Sequence, residues 1–316
     1  MELVLLFPGQ GSQAPGMARD LAEAFPVARE ALEQVDAALG VALSTLMFDG
    51  PAEELTLTHN AQPALLAHGA AAWAAIRDAA ASYVVAAAGH SLGEFTAYHA
   101  AGSLALDAAA RLVRRRGELM YEAGRTRPGA MAALLGEASR PVEELCAEAT
   151  REAGEVVPAN YNSPGQIVIS GEVAGVARAM ELAKAAGMKR ALRLPVSGAF
   201  HSPLMAPALP GLEAALDAAA IARPEFPVWA NVTAQPVTDA GTARALLARQ
   251  LTAPVRWTQQ VAAMAAAHPD ALYVELGPGS VLSGLVRKIA PGVRTATCGS
   301  AADVETLLAQ LAQPAH

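Results

Sequence analysis

Apolar positions along this chain repeat with two different periods. Continuous apolar runs ended by Pro or Gly predict buried strands at Leu3–Phe7 and Tyr83–Ala88. A run of helices fills the stretch between them. The second strand enters Gly89-His90-Ser91-Leu92-Gly93, and helical periodicity resumes behind it, with a further helix over about 107–123. Arg125 to Gly129 breaks the pattern. The order then changes. A strand is predicted at 130–135, and a helix from Pro141 with Ser139 as its cap and Glu143 or Glu144 in the first turn. Strands follow at 156–161 and 166–170 around an Asn162-Ser163-Pro164-Gly165 turn, then a helix over 173–186 and a strand over 189–196. This β-α-β-β-α-β order is that of a ferredoxin-like unit. After residue 201 the α/β alternation returns, with a strand at 271–276. The expectation is a small unit, residues 127–197, inserted into a larger α/β domain formed by 1–126 and 198–316.

At 316 residues the chain is long enough for this arrangement, and 53% hydrophobic with 17% charged residues excludes a disordered protein. A net charge of −7 leaves no global basic field for nucleic acid. Cys146 and Cys298 lie in no metal-ligand or paired spacing, so neither a disulfide framework nor a zinc site is expected. Met1–Phe7 lacks the basic start of a secretory leader. The Ala-rich stretch 70–88 is the nearest thing to a membrane span, but Arg77 and Asp78 interrupt it. A cytoplasmic protein is expected.

The segment 89–93 matches G-x-S-x-G between a strand and a helix, the context of a nucleophile elbow. Its alternative is a serine in a glycine-rich turn. In the elbow the Ser91 hydroxyl sits at a helix N-terminus, where amide N–H groups and the helix dipole favour a developing oxyanion. A serine nucleophile needs a base. Of the seven histidines, His90 should point away from the Ser91 hydroxyl. His59, His68 and His99 fall in or near helices, His268 lies in a polar loop, and His316 is the final residue. His201 sits between a strand end and a helix start, where catalytic groups are often carried. No acid is marked as its orienter, and a backbone carbonyl can serve.

In the helix around residue 116, Leu112, Val113, Leu119 and Met120 form one apolar stripe. Arg116 falls near its middle, whereas Arg114 and Arg115 read as solvated charges. A buried guanidinium needs an anion or a set of acceptors. Either an internal carboxylate satisfies it, or the substrate brings a carboxylate that matches its planar fork.

Six segments carry a resemblance over nearly the whole length. They are Phe7-Pro8-Gly9-Gln10-Gly11-Ser12-Gln13, Gly89-His90-Ser91-Leu92-Gly93-Glu94, Arg116-Gly117, Asn160 to Gln166, Gly198-Ala199-Phe200-His201-Ser202 and Glu275-Leu276-Gly277-Pro278-Gly279. In these the chain resembles the malonyl-CoA:acyl-carrier-protein transacylases and the related acyltransferase domains of polyketide synthases. The resemblance implies an α/β-hydrolase-like large domain with an inserted ferredoxin-like small domain. It implies Ser91 as the acylated nucleophile, His201 as its base, and the N–H groups of Gln10 and Leu92 as oxyanion hole. Arg116 would hold the malonyl carboxylate and the Gln250 carbonyl would orient His201. Phe200 is typical of malonyl-selective members, and Gln62 matches a motif near the site. Malonyl-CoA and acyl carrier protein are the implied partners, with no metal or other cofactor, no nucleic acid and no membrane.

Arg125, Arg127, Lys189, Arg190, Arg287 and Lys288 are candidates for docking an acidic carrier protein, or are ordinary surface charges. Asn160 and Asn162 are expected to satisfy backbone groups in the turn. Asn231-Val232-Thr233 reads as a chance glycosylation sequon. Competing functions are a serine hydrolase, a polyketide acyltransferase or malonate decarboxylase component, and an inactive docking scaffold.

Overall fold

Strand β1 (Leu3–Phe7) is buried along its whole length and forms one of the two central strands of the main sheet. The computed structural model describes residues 1–313, so His316 and the last residues of the expected large domain lie outside the described residues. After β1 come helices α1 (Arg19–Ala24), α2 (Pro26–Leu39), α3 (Leu43–Asp49), α4 (Ala52–Thr56) and α5 (Thr58–Ala80). Strand β2 (Val84–Gly89), α6 (Gly93–Ala100) and α7 (Leu106–Thr126) follow. The next segment is β3 (Gly129–Leu135), α8 (Val142–Glu152), β4 (Val156–Ser163), β5 (Gln166–Glu172), α9 (Val173–Ala185) and β6 (Arg190–Arg193). The chain then continues through α10 (Leu209–Ala218), β7 (Val228–Trp229), β8 (Pro236–Val237), α11 (Ala240–Arg249) and α12 (Trp257–Ala267). It closes with β9 (Leu272–Glu275), α13 (Val281–Ile289), β10 (Arg294–Thr297) and α14 (Ala301–Leu311).

Two sheets result. The main sheet runs β10-β9-β1-β2-β7-β8, parallel throughout except for the last pair. Its central pair places Phe7 beside Gly89, so the loops leaving β1 and β2 lie together at the carboxyl ends of the strands. In open α/β sheets this is where ligands bind. Helix α5 is buried on most of its circumference, which its Ala-rich sequence permits because small side chains let neighbours approach on several sides.

The second sheet is antiparallel, in the order β4-β5-β3-β6. With α8 and α9 it encloses its own apolar core, including Leu134, Leu145, Val156 and Ile169. Two details of the expectation change here. Pro141, not Ser139, is the N-cap of α8, and the Ser139 N–H donates to Ala186 O. Strand β4 runs on through Ser163, so only Pro164 and Gly165 form the turn and both asparagines belong to the strand.

Strand β4 is bonded to the segment between α11 and α12 and to the start of α12. The Val255 N–H donates to Ala159 O, the Tyr161 N–H donates to Val255 O, and Thr258 Oγ1 donates to Tyr161 O. Residue 255 belongs to the segment that follows Gln250.

Candidate active site

Ser91 occupies a turn that only a particular sequence allows. Its φ is +52°, a left-handed conformation that costs a non-glycine residue about 1–3 kcal/mol. A Cβ on Gly89 would lie 1.9 Å from the Gly93 backbone, and one on Gly93 would lie 2.1 Å from Phe7 O. Both glycines are therefore steric requirements of the elbow. The turn is held from outside by Asn231. Its Oδ1 accepts the Ser91 N–H at 2.8 Å, and its Nδ2 donates to Gly89 O at 2.7 Å.

The Ser91 hydroxyl lies 2.7 Å from Nε2 of His201. Nδ1 of His201 faces Gln250 O at 3.0 Å and Ala253 O at 3.2 Å. Both are acceptors, so Nδ1 carries the proton and Nε2 is left to accept from the serine. His201 also has a positive φ, +56°. Burial, and then the nearby Arg116 charge, push its pKa down to about 3, which keeps the imidazole neutral and leaves the Nε2 lone pair facing the serine hydroxyl. His90 turns away as expected, and its Nε2 donates to Asn162 Oδ1 at 2.8 Å.

Arg116 is 1% exposed and makes no ion pair with a described residue. Two amide oxygens hold it instead. Nη1 donates to Gln62 Oε1 at 2.7 Å, and Nη2 donates to Gln250 Oε1 at 2.9 Å and to the Ser91 hydroxyl at 3.1 Å. Burial lowers its pKa to about 10, so it remains a cation at neutral pH. The nearest buried carboxylate, Glu94, reaches it only through the Gln250 amide. Arg114, read as solvated, is half-buried and donates to His59 O and Asn60 Oδ1, both at 2.6 Å. Arg115 is exposed beside Glu118.

These groups open into a cleft of about 560 Å³ lined by Gln10, Gln62, Ser91, Leu92, Arg116, Phe200 and His201, among others. The N–H groups of Gln10 and Leu92 have no protein acceptor among the described residues. Gln10 Oε1 accepts from Thr58 Oγ1 at 2.9 Å, which fixes its loop. Phe200 is nearly buried on the cleft wall. Asn160 also lines the cleft. Its Oδ1 has no partner, so neither asparagine serves the turn as expected. The Glu275 carboxylate accepts the N–H groups of Leu282 and Ser283 at 2.9 and 2.7 Å. This seats α13, whose Val281, Leu282 and Leu285 complete the wall.

An acyl transferase domain model matches residues 4–308. The chain belongs to the acyl transferase domain family. This acyl transferase is 42% identical over 310 residues to the malonyl CoA-acyl carrier protein transacylase of Bacillus subtilis, covering 98% of this chain and 97% of that one. The acyl-carrier-protein S-malonyltransferase of Bartonella henselae superposes with a TM-score of 0.93 at 42% identity, over 99% of this chain and 100% of that one. A malonyl-transacylase solved in complex with a type II polyketide synthase acyl carrier protein gives 0.92 at 40% identity, over 98% and 100%.

Sequence reasoning missed three of the acyl transferase's site residues: Asn231, Glu94 and the side chain of Gln250. Each is polar and wholly buried, and their partners lie up to 159 positions away. Only the isolated placement of Asn231 and Glu94 among apolar or small neighbours hinted at them. Among the described residues, no helix is long and apolar enough to cross a membrane and no side-chain group is arranged to hold a metal ion.

Proposed function

We propose that this protein transfers a malonyl group from malonyl-CoA to the pantetheine thiol of acyl carrier protein, by a ping-pong cycle through malonyl-Ser91. One observation carries the reading. A buried guanidinium, held by two neutral amides and free of any contact carboxylate, lies 3.1 Å from a serine hydroxyl that donates to a neutral histidine. A carboxylate on the acyl group is the directly contacting anion such an arginine lacks.

His201 takes the Ser91 proton as the hydroxyl attacks the thioester carbonyl. The Gln10 and Leu92 N–H groups receive the oxyanion, and preorganised donors of this kind are worth about 10²–10³ in rate each. Coenzyme A leaves as the thiol with the proton from His201. Malonyl stays on Ser91 with its carboxylate on Arg116, whose position Gln62 and Gln250 set. The carrier thiol then reverses the steps. Phe200 restricts room beside the acyl group and favours malonyl over branched acyl groups. Side chains and amides suffice for this cycle, which calls on no metal or redox cofactor.

The same proposal takes residues 1–126 and 198–316 as a hydrolase-like large domain and 127–197 as a ferredoxin-like insert. The β4-β5-β3-β6 order and the separate core support it. Cytoplasmic placement belongs to the reading. The six basic dock candidates are all exposed. Arg127 is paired with Glu172 and Glu155, which makes it the least available for an acidic partner.

Intact-mass spectrometry after mixing with malonyl-CoA or acetyl-CoA tests the function. The expected result is a malonyl adduct on the wild type, none on Ser91→Ala, and a weakened adduct on Arg116→Ala with acetyl loading relatively improved. Release of free malonate and coenzyme A without an adduct would indicate a hydrolase instead.

A further inference from the structure

Glu94 follows the elbow and is completely buried. No described arginine or lysine contacts it. Its Oε2 accepts from Gln250 Nε2 at 2.7 Å and from the Asn231 N–H at 3.1 Å, while Oε1 is buried with no partner. On the other side of the same amide, Gln250 Oε1 accepts from Arg116 Nη2 at 2.9 Å. A carboxylate only accepts and a guanidinium only donates, so the amide between them has one permitted orientation. Glu94 and Arg116 thus form a charge pair held one amide apart, and each senses the other's charge.

The ionisable groups facing Glu94 are Arg116 of α7 and Tyr98, one turn along its own helix. Strands β1, β2 and β7, packed on α6, carry none. Helix α5 turns His59 toward Arg114 and His68 toward Gly299 O, and its Arg77 and Asp78 are exposed. His201 lies across Ser91.

Above about pH 7, before substrate binds, the pocket holds one positive and one negative charge. An acyl carboxylate on Arg116 would make two buried anions share one cation, which disfavours the ionised form of one of them. We infer that Glu94 is the resident counter-ion of Arg116 and takes up one proton from solvent when the free carboxylate of an acyl group binds the guanidinium. The inference rests on the reading above that Arg116 holds that carboxylate. The proton adds to Oε1, the oxygen that accepts no bond, and no other bond forms or breaks. Burial already holds the Glu94 carboxyl up at about 7, so the proton is within reach near neutrality. Glu94 touches no substrate and acts through Gln250 and Arg116 as a positioning residue.

Calorimetry on Ser91→Ala, where no acyl transfer competes, tests this with malonyl-CoA and acetyl-CoA in buffers of different ionisation enthalpy. Acetyl-CoA carries the same phosphates and controls for their titration. At about pH 8, malonyl-CoA should bring an uptake approaching one proton and acetyl-CoA none. The Kd for malonyl-CoA should weaken more than tenfold from about pH 6 to about pH 9. In Ser91→Ala/Glu94→Gln the uptake should vanish, and alkaline binding of malonyl-CoA should tighten several-fold. Equal uptake with both thioesters, or uptake that survives Glu94→Gln, overturns the inference. A third protein, Ser91→Ala/Arg116→Ala, separates the two ideas. If it keeps its preference for malonyl-CoA over acetyl-CoA, the carboxylate clamp itself is wrong. If it loses that preference while no uptake is seen in Ser91→Ala, only the role of Glu94 falls. Should Glu94→Gln fail to fold, the buffer comparison on Ser91→Ala decides alone.

Discussion

The side-chain oxygen of Asn231 accepts the backbone N–H of Ser91 at 2.8 Å, across 140 positions of sequence. The same side chain donates to Gly89 O and to Gln260 Oε1, so one residue ties the strained turn to the segment that follows β7 and to α12. Asn231→Ala should leave a buried N–H and a buried carbonyl unpaired, at about 1–3 kcal/mol of stability. The acylation rate should fall about ten- to a hundred-fold because the hydroxyl is no longer held in place. Denaturant unfolding and stopped-flow loading check the two effects. An unchanged loading rate would show that the glycines alone maintain the elbow.

Phe200 forms part of the cleft wall beside His201. Replacing it with serine makes room for an extra methyl group on the acyl chain. One methyl in such a pocket is worth about 1–3 kcal/mol of discrimination. In competition between methylmalonyl-CoA and malonyl-CoA, Phe200→Ser should raise the branched adduct at least several-fold. If the ratio of adducts does not move, another residue sets the width of the pocket.

Acid should destabilise the fold before it protonates the base. Burial lowers the pKa of His68 to about 4, that of His201 to about 3, and that of His90 below its ordinary 6.5. Below 6.5 the unfolded chain takes up protons that these three sites refuse, so stability falls as pH falls. Glu94 works against this trend. Its raised pKa of about 7 makes the folded state the better proton binder between about 4.5 and 7. His68 and His201 together outweigh Glu94, so the net slope remains a loss toward acid of about one proton, near 1.4 kcal/mol per pH unit. Thermal unfolding between about pH 7 and about pH 5 measures it. His68→Gln should remove about one proton from the slope.

Glycines in this chain differ sharply in what they tolerate. Gly89→Ala puts a methyl group into the Gly93 backbone and should prevent a native elbow from forming, with loss of acylation and of soluble yield. Gly284, inside α13, has no atom within 4 Å of where a Cβ would go. Gly284→Ala should stabilise by about 0.5–1 kcal/mol through helix propensity. Matched melting curves distinguish the two, and a stable, active Gly89→Ala would refute the steric account of the motif.

Local pattern carried most of the fold. Strand β1, the elbow and the β-α-β-β-α-β segment were all legible because each depends on periodicity and turn residues within about ten positions. Arg116 stood out by its place on an apolar stripe, and His201 by its loop. Asn231 was hidden because the three residues beginning there also read as a surface sequon. Arg114 looked solvated because its acceptors, His59 O and Asn60 Oδ1, come from another helix. Glu94 sat beside the motif without a visible role. Buried polar residues are defined by partners brought together only by the fold, and one-dimensional spacing holds no record of those partners.

The stitching of β4 to Val255 has a consequence for engineering. The segment it grips carries the Gln250 and Ala253 carbonyls that aim the His201 ring. The inserted unit is therefore no interchangeable cassette. Exchanging it for that of a relative would pull on the Gln250 and Ala253 carbonyls that orient His201, so under the proposed reading the choice of insert also bears on the aim of the base.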